Sequence, residues 1–339
     1  MEVDFQNSQS YVLKNPKLPK ETQFPDVELP AHVWIATSGT TGSIKWAALS
    51  KEALLLSANE VNTHFSITQH DIWLNPLPSF HVGGLGIYAR AHLSGSKVIP
   101  FHGWAPKAFH HQISLTKATV TALVPTQLFD LIEANLKAPP TLRAVIIGGG
   151  LLDPSLFQKA LALHWPVAPS YGMTECCSQI ATALPGQYQM QILPHVTLKG
   201  NPLKVSSKSL LTVYWTQGQL HDPKEGEWLQ TEDLVEIENN HLKFLGRKND
   251  WTKILGENVH LLPLQALLDT LAKPQGIEAY LKFLPDPRKG TRIALVTTHT
   301  EPASLITQFN SKVMPYEKID DCILVPRIEK TALGKVIKN

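Results

Sequence analysis

An α/β fold is what the sequence predicts: a large N-terminal domain with a mostly parallel, helix-covered sheet and a small antiparallel β region, then a small α+β C-terminal domain joined by a hinge. Three observations lead there. From Val33 to about residue 170, short β-rich runs alternate with segments of helical period, the pattern of a parallel sheet with covering helices. Between about residues 195 and 245 the texture changes to short alternating runs such as "SLLTVYWTQGQ" and "DLVEIENNHLKFLG", which read as antiparallel strands and turns. At "GRKND" (246–250) glycine and polar residues follow a strand. This places a boundary there and divides the chain into domains 1–245 and 246–339.

The first thirty residues are polar with scattered prolines and read as a surface arm leading into the first strand. Strands are expected at "VWIA" (33–36), "IWLNPL" (72–77), "KVIPF" (97–101), "VTALV" (120–124) and "AVII" (144–147), each followed by helix-like sequence. Ser50 is a plausible N-cap before a helix whose Leu54, Ala58, Val61 and Phe65 share one face, and Asp153-Pro154 reads as cap and first turn before Leu156, Phe157, Ala160 and Leu161. Beyond the boundary, a helix near 261–271, strands near 277–284 and 292–298 and a helix near 303–313 make up the small unit. No internal repeat or low-complexity tract interrupts the chain.

The totals agree with a globular protein of more than one core: 339 residues, 43% apolar and 18% charged. A net charge of only +2 argues against a general attraction to nucleic acid or anionic membrane, so any polyanion must be held locally. Three cysteines, two of them adjacent (Cys176, Cys177), cannot frame a disulfide scaffold, and a reducing cytoplasm is expected. The N-terminus offers neither a signal peptide nor a membrane helix. His110-His111 and Cys176-Cys177 lack partners at metal-ligand spacing.

"TSGTTGSIK" (37–45) packs hydroxyls, glycines and a lysine into nine positions. Such a loop suits phosphate oxygens, which take backbone N–H groups, hydroxyls and one ammonium. A surface turn can have the same composition. It is not the common P-loop, because Lys45 stands three residues after Gly42 rather than beside a glycine at a helix start.

Six further blocks follow it: "PLPSFHVGGL" (76–85), "IIGGG" (146–150), "SYGMTE" (170–175), "TEDL" (231–234), "GRKND" (246–250) and "EKTALGK" (329–335). Together and in this order they resemble the adenylate-forming superfamily of acyl- and aryl-CoA synthetases, luciferases and peptide-synthetase adenylation domains. The resemblance covers about residues 30 to 339. Within it, "GMTECCSQIAT" and "GENV" are most similar to the o-succinylbenzoate-CoA ligase branch of menaquinone biosynthesis.

The resemblance implies a chemistry. A carboxylate is a poor acyl donor, so ATP converts it to an acyl-adenylate with loss of pyrophosphate, and the thiol of coenzyme A then takes the acyl group. Thr37, Ser38, Gly39, Thr40, Thr41, Gly42 and Lys45 would hold the triphosphate tail. Thr174 would contact the α-phosphate and Glu175 would hold Mg2+, an oxygen-loving ion. Gly148, Gly149 and Gly150 would let the backbone approach the nucleotide, Tyr171 with Gly172 would stack on adenine, and Asp233 and Arg247 would hold the ribose. Lys335 would bridge the incoming carboxylate and the α-phosphate. The C-terminal domain would rotate about a hinge at Lys248, Asn249 and Asp250, bringing Gly256 and Glu257 to the CoA tunnel. His81, Gly83, Gly84 and Gly86 would border the acid, with Thr126, Gln127, Ser178 and Gln179 on the pocket wall.

Three departures accompany the resemblance. The long segment that family members carry before the phosphate loop is largely missing. Glu232 stands where Thr-Gly-Asp is usual, so ribose geometry is expected to shift. Leu255 replaces a glycine beside the proposed thiol tunnel. The partners implied are a small carboxylic acid, ATP and CoA, with no nucleic acid or membrane, and a homodimer left open. The rival readings are a ligase for another aryl or short acyl acid, and a non-catalytic nucleotide-binding remnant.

Overall fold

The computed structural model describes residues 3–16, 18, 21–38, 44–254, 257–286, 288, 290–330 and 336, with the backbone alone at Ser38, Asn249, Lys253 and Asn258. The described residues divide into two compact units, 1–231 with 235–244, and 232–234 with 245–339. Strands and helices are numbered below in chain order.

In the first unit β1 (Tyr11–Leu13), β2 (His32–Ser38), β3 (Ile44–Ser50), β13 (Val213–Thr216) and β14 (Gln219–His221) form one sheet in that order. Alternation explains its two faces. Val33, Ile35, Ala47 and Leu49 join one apolar cluster, whereas Trp34, Trp46, Ala48 and Trp215 form another. The expected strand at 33–36 is therefore not followed directly by a helix. It is the first arm of a hairpin with β3, and Thr37 and Ser38 pair with Lys45 and Ile44. A short apolar run such as "KWAAL" suits helix or strand equally, and the antiparallel partner decides.

The expected surface arm is also corrected. Phe5, Tyr11 and Leu13 are buried, and β1 pairs in parallel with β2. Trp46 Nε1 donates to Gln23 O at 3.0 Å and its ring packs on Phe24. The buried amine of Lys51 donates to Asn7 O and Asn7 Oδ1, both at 2.8 Å. These contacts bury enough apolar and polar surface to order a segment whose composition reads as solvent-facing.

The main sheet follows the prediction closely. Strands β4 (Ile72–Asn75), β5 (Lys97–Pro100), β6 (Val120–Leu123), β7 (Ala144–Ile147) and β8 (Val167–Met173) are parallel, in the order β5-β4-β6-β7-β8. Its central strands β6 and β7 are buried throughout, as strands covered on both faces must be. Helices α1 (Lys51–Phe65) and α2 (Val82–Ser94) pack on one face. The other face is covered by α3 (Pro106–Thr116), α4 (Pro125–Glu133) and α5 (Pro154–Ala162).

Ser50 Oγ accepts from Ala53 N–H and Asp153 from Ser155 and Leu156 N–H, so both expected N-caps form. Beyond β8 the sheet continues through β9 (Ser178–Thr182), β10 (Met190–Ile192), β18 (His241–Arg247) and β17 (Asp233–Glu238). A small antiparallel sheet of β11 (Thr197–Lys199), β12 (Lys204–Ser206), β16 (Trp228–Gln230) and β15 (Lys224–Glu225) accounts for the change of texture after residue 195.

The N-terminal ends of the parallel strands are tied together by one acid. Asp71 Oδ1 accepts from Thr119 Oγ1 at 2.7 Å and Arg143 Nε at 2.8 Å, and Oδ2 accepts from Arg143 Nη2 and Thr68 N–H. Burial alone would raise the pKa of this carboxyl. The hydrogen bonds from Arg143, Thr68 and Thr119, with the charge of Arg143, outweigh that and lower it to about 2. A depressed carboxyl pKa adds stability above the unfolded value near 3.8, and this is lost as pH falls through about 2. Urea unfolding of wild type and Asp71→Asn is therefore expected to show a stability gap that is full above pH 4 and closes between about pH 4 and 2. A gap independent of pH in that window would contradict this assignment.

The second unit has its own core, including Ile254, Val259, Leu264, Leu268, Leu281, Ile293, Leu295, Leu305 and Phe309. It contains the hairpin β19 (Trp251–Ile254) and β20 (Glu257–His260), then α6 (Leu261–Ala272), β21 (Ala279–Asp286), β22 (Gly290–Thr297), α7 (Ala303–Asn310) and β23 (Ile319–Leu324). β21 is antiparallel and β23 parallel to β22. Among the described residues, no helix of either unit is long and apolar enough to cross a membrane.

Candidate active site

Four segments singled out from sequence leave the C-terminal ends of neighbouring parallel strands: residues 76–85 after β4, Pro125 to Gln127 after β6, Gly148 to Gly150 after β7, and Thr174-Glu175 after β8. In open α/β sheets ligands bind beyond that edge, where diverging connections leave a crevice. Fold and motifs thus select the same region of the first unit.

The hairpin β2–β3 carries both flanks of the expected phosphate loop. Gly39, Thr40, Thr41 and Gly42 lie outside the described residues, and only the backbone of Ser38 is described. Thr37 Oγ1 faces Lys45 O at 3.4 Å. Lys45 Nζ lies 5.7 Å from the centroid of the Tyr214 ring, and the Tyr214 hydroxyl donates to Glu175 Oε1 at 2.5 Å. One tyrosine from β13 therefore touches residues of two motifs that are far apart in the chain.

Glycine is required at two of the expected sites. A Cβ on Gly172 would sit 1.9 Å from Ser178 O, because β8 and β9 approach closely at an irregular register there. One on Gly84 would sit 2.3 Å from Pro78 O. Gly148 lies against Ser170 Oγ and Gly150 against Pro125, so the glycine run sits between strand β8 and the start of α4. The Tyr171 ring stacks on Phe244 at 5.6 Å and 28°. Thr174 opens a single 3-10 turn over Thr174–Cys176 that places Glu175 beside β13.

The expected acid pocket contains a cation that the sequence reading overlooked. Arg90, on the same face of α2 as Gly86, is 2% exposed. Its Nη2 donates to Ser178 Oγ at 3.2 Å and to Gln179 Oε1 at 3.0 Å, and its guanidinium lies 5.7 Å from the Trp73 ring centroid. Its Nε is buried without a hydrogen-bond partner among the described residues. No acid pairs with it among the described residues. Burial lowers its pKa to about 10, so it stays charged at neutral pH.

Ser178 is held with φ at +128° directly after Cys177 at +57°, two left-handed non-glycine residues in succession. Such strain persists only where the surroundings impose it, and here it turns Ser178 Oγ and Gln179 Oε1 toward Arg90. An arginine among the apolar residues of "VGGLGIYARAHLS", four positions after Gly86, was the available signal.

His81 is at the N-cap position of α2 beside Phe80, and burial lowers its pKa. Its Nε2 is buried without a partner among the described residues. Gly83 follows it and lies against Leu77. Thr126 and Gln127 are in the first turn of α4. There Gln127 Oε1 accepts from Val124 N–H at 3.0 Å, committing that oxygen to closing the helix end.

Within the second unit, Asp233 Oδ1 pairs with Arg247 Nε at 3.0 Å. Glu232, expected to disturb this geometry, accepts Lys248 N–H through its backbone oxygen at 2.7 Å. The side chain at a usually glycine position does not keep the two charges apart. Lys248, Asn249 and Asp250 form a 3-10 turn in which Asp250 Oδ2 accepts from Arg247 N–H. Glu257 begins β20. Gly256 and Lys335 lie outside the described residues.

The described residues hold no cluster of three metal-ligating side chains. Glu175 alone still fits Mg2+, which is commonly bound by one or two carboxylates together with substrate phosphates and water. A broad cleft of about 860 Å³ lies elsewhere on the first unit, between α1, His195, Ser207 and Lys224, and none of the sequence-predicted site residues lines it.

A family model described as AMP-binding enzyme matches residues 4–220. The chain is 26% identical over 330 residues to the 2-succinylbenzoate–CoA ligase of Bacillus subtilis (strain 168), covering 89% of this chain and 67% of that one. It is 31% identical over 259 residues to the 2-succinylbenzoate–CoA ligase of Staphylococcus epidermidis (strain ATCC 35984), covering 71% and 54%. Among solved structures it is similar to the B. subtilis o-succinylbenzoate coenzyme A synthetase (MenE) in complex with ATP and magnesium ion. That match has a TM-score of 0.77 and 26% identity over 89% of this chain and 68% of the other. The chain thus spans between about half and two thirds of the length of these relatives.

Proposed function

Because the chain belongs to the AMP-binding enzyme family, we propose that it is an ATP-dependent acid–thiol ligase that forms an acyl-CoA through an acyl-adenylate, with 2-succinylbenzoate as its acid. Arg90 is the observation that carries this reading. A guanidinium buried to this degree without an acid beside it leaves a desolvated charge uncompensated. An acid with two carboxylates supplies the missing charge: one carboxylate faces Arg90, Ser178 and Gln179 while the other is activated.

The first half-reaction joins a carboxylate oxygen to the α-phosphorus of ATP as the bond to pyrophosphate breaks. In the second, the thiol sulfur of CoA bonds to the acyl carbon and AMP leaves. Lys45 and the 37–42 loop stabilise the negative charge of the departing pyrophosphate, and Thr174 steadies the α-phosphate. Mg2+ held by Glu175 would neutralise phosphate charge and orient the chain of phosphates. Gly148 to Gly150 and Tyr171 with Gly172 receive the nucleotide base, and the Asp233–Arg247 pair receives the ribose. His81, Gly83, Gly84, Thr126 and Gln127 complete the acid pocket.

The domain reading belongs to the same proposal. Residues 1–245 form the AMP-binding domain and 246–339 a small mobile domain turning at Lys248 to Asp250. That domain supplies Lys335 to adenylation, and Gly256 and Glu257 to the passage for CoA. Pyrophosphate release measured with ATP, Mg2+, CoA and a panel of aryl and short acyl acids is expected to be greatest with 2-succinylbenzoate. No response to that acid, with a response to another, would replace the substrate but keep the reaction. No response to any acid would reject both.

A further inference from the structure

Tyr214 belongs to none of the sequence motifs, yet its side chain meets residues of two of them, Lys45 and Glu175. A carboxylate oxygen offers only lone pairs and a phenol offers an O–H, so the 2.5 Å bond has one polarity: tyrosine donates and Glu175 Oε1 accepts.

The strand that carries Tyr214 is anchored from several directions. Thr212 N–H donates to Ala48 O at 2.8 Å, Leu211 N–H donates to Glu175 O at 2.7 Å, and His32 Nε2 lies 2.7 Å from Thr212 Oγ1. Lys224 Nζ donates to Leu211 O at 2.9 Å and Thr212 O at 2.7 Å. Both the backbone and the side chain of Glu175 are therefore referenced to the start of β13.

We propose that Tyr214 is a positioning residue that fixes Glu175 Oε1 so that the second carboxylate oxygen serves a divalent cation arriving with the nucleotide phosphates. The proposal deepens the ligase reading and rests on Glu175 as the protein's carboxylate toward that cation. A free glutamate samples several rotamers, and binding a cation would cost their entropy at that moment. A hydrogen bond from a rigid neighbour removes that cost in advance, which is how outer partners raise metal affinity. The neutral phenol donates without cancelling the carboxylate charge, so attraction for the cation is retained.

The test is calorimetric titration of the full chain with ATP in the presence and absence of Mn2+, without acid or CoA. The ratio of the two affinities isolates what the cation contributes. In Tyr214→Phe, which keeps the ring and its packing, this ratio is expected to fall about tenfold. Metal-free ATP affinity and the unfolding temperature should stay near wild type. In a Glu175→Gln background the same change is expected to have no further effect. A ratio unchanged or increased in Tyr214→Phe, the latter meaning that the phenol competes with the cation, would overturn the proposal. An additive loss in the double variant would do so too. If Glu175→Gln itself leaves the ratio intact, the premise about Glu175 fails and the proposal falls with it, whereas absent ATP binding in wild type would instead reject the ligase reading.

Discussion

Arg90→Met is expected to lower kcat/KM for 2-succinylbenzoate by about 10²–10³-fold, the equivalent of roughly 3–4 kcal/mol and so at the lower end of what is lost when one partner of a buried charge pair is removed. The same variant should treat 4-oxo-4-phenylbutanoate, which lacks the ring carboxylate, nearly as wild type does. Selectivity between the two acids would then collapse. The protein itself should lose only about 1–3 kcal/mol for each buried acceptor left without its donor, Ser178 Oγ and Gln179 Oε1, because methionine occupies similar volume and Arg90 has no acid partner to strand among the described residues. Arg90→Lys keeps the charge but loses the planar fork that reaches Ser178 Oγ and Gln179 Oε1 together, so it should recover only part of the activity. If wild type and Arg90→Met discriminate equally between the two acids, Arg90 does not meet the second carboxylate.

The second large effect is expected at Lys335. Lys335→Ala should reduce acyl-adenylate formation by about 10²–10³-fold, the range seen when one positioned donor is removed from a developing negative charge. Transfer from preformed acyl-adenylate to CoA should stay within a few-fold of wild type, because the carboxylate–phosphate bond is already made. Pyrophosphate exchange reads the first half-reaction, and thioester formation from synthetic adenylate reads the second. Comparable losses in both would reject a role confined to adenylation.

The parallel sheet was readable in the linear order because its rules are local. "VTAL" and "AVII" are short runs rich in β-branched residues, each followed by helix-like sequence, a pattern that suits doubly covered strands, and Ser50 and Asp153 cap helices through atoms two to three residues away. Glycines 84 and 172 carry a similar message, since each marks a place where another stretch of backbone comes too near for a Cβ. The hairpin β2–β3 and the buried N-terminal segment were not readable in this way. Their apolar runs fit more than one element, and their partners are supplied by distant strands.

Residue chemistry along the chain singled out the parts: a hydroxyl- and glycine-rich loop expected to take phosphate, a Thr-Glu pair after a strand, and an Asp and an Arg in neighbouring blocks. Folding in three dimensions decided which parts meet. Arg90 reaches side chains 88 and 89 positions away, and Tyr214 reaches Glu175 across 39. Helix and turn propensities act over a few residues, whereas strand order and register are set by how whole apolar faces find cover. A single charged side chain in an otherwise apolar helix therefore carries no visible address until the sheet beside it has been assembled.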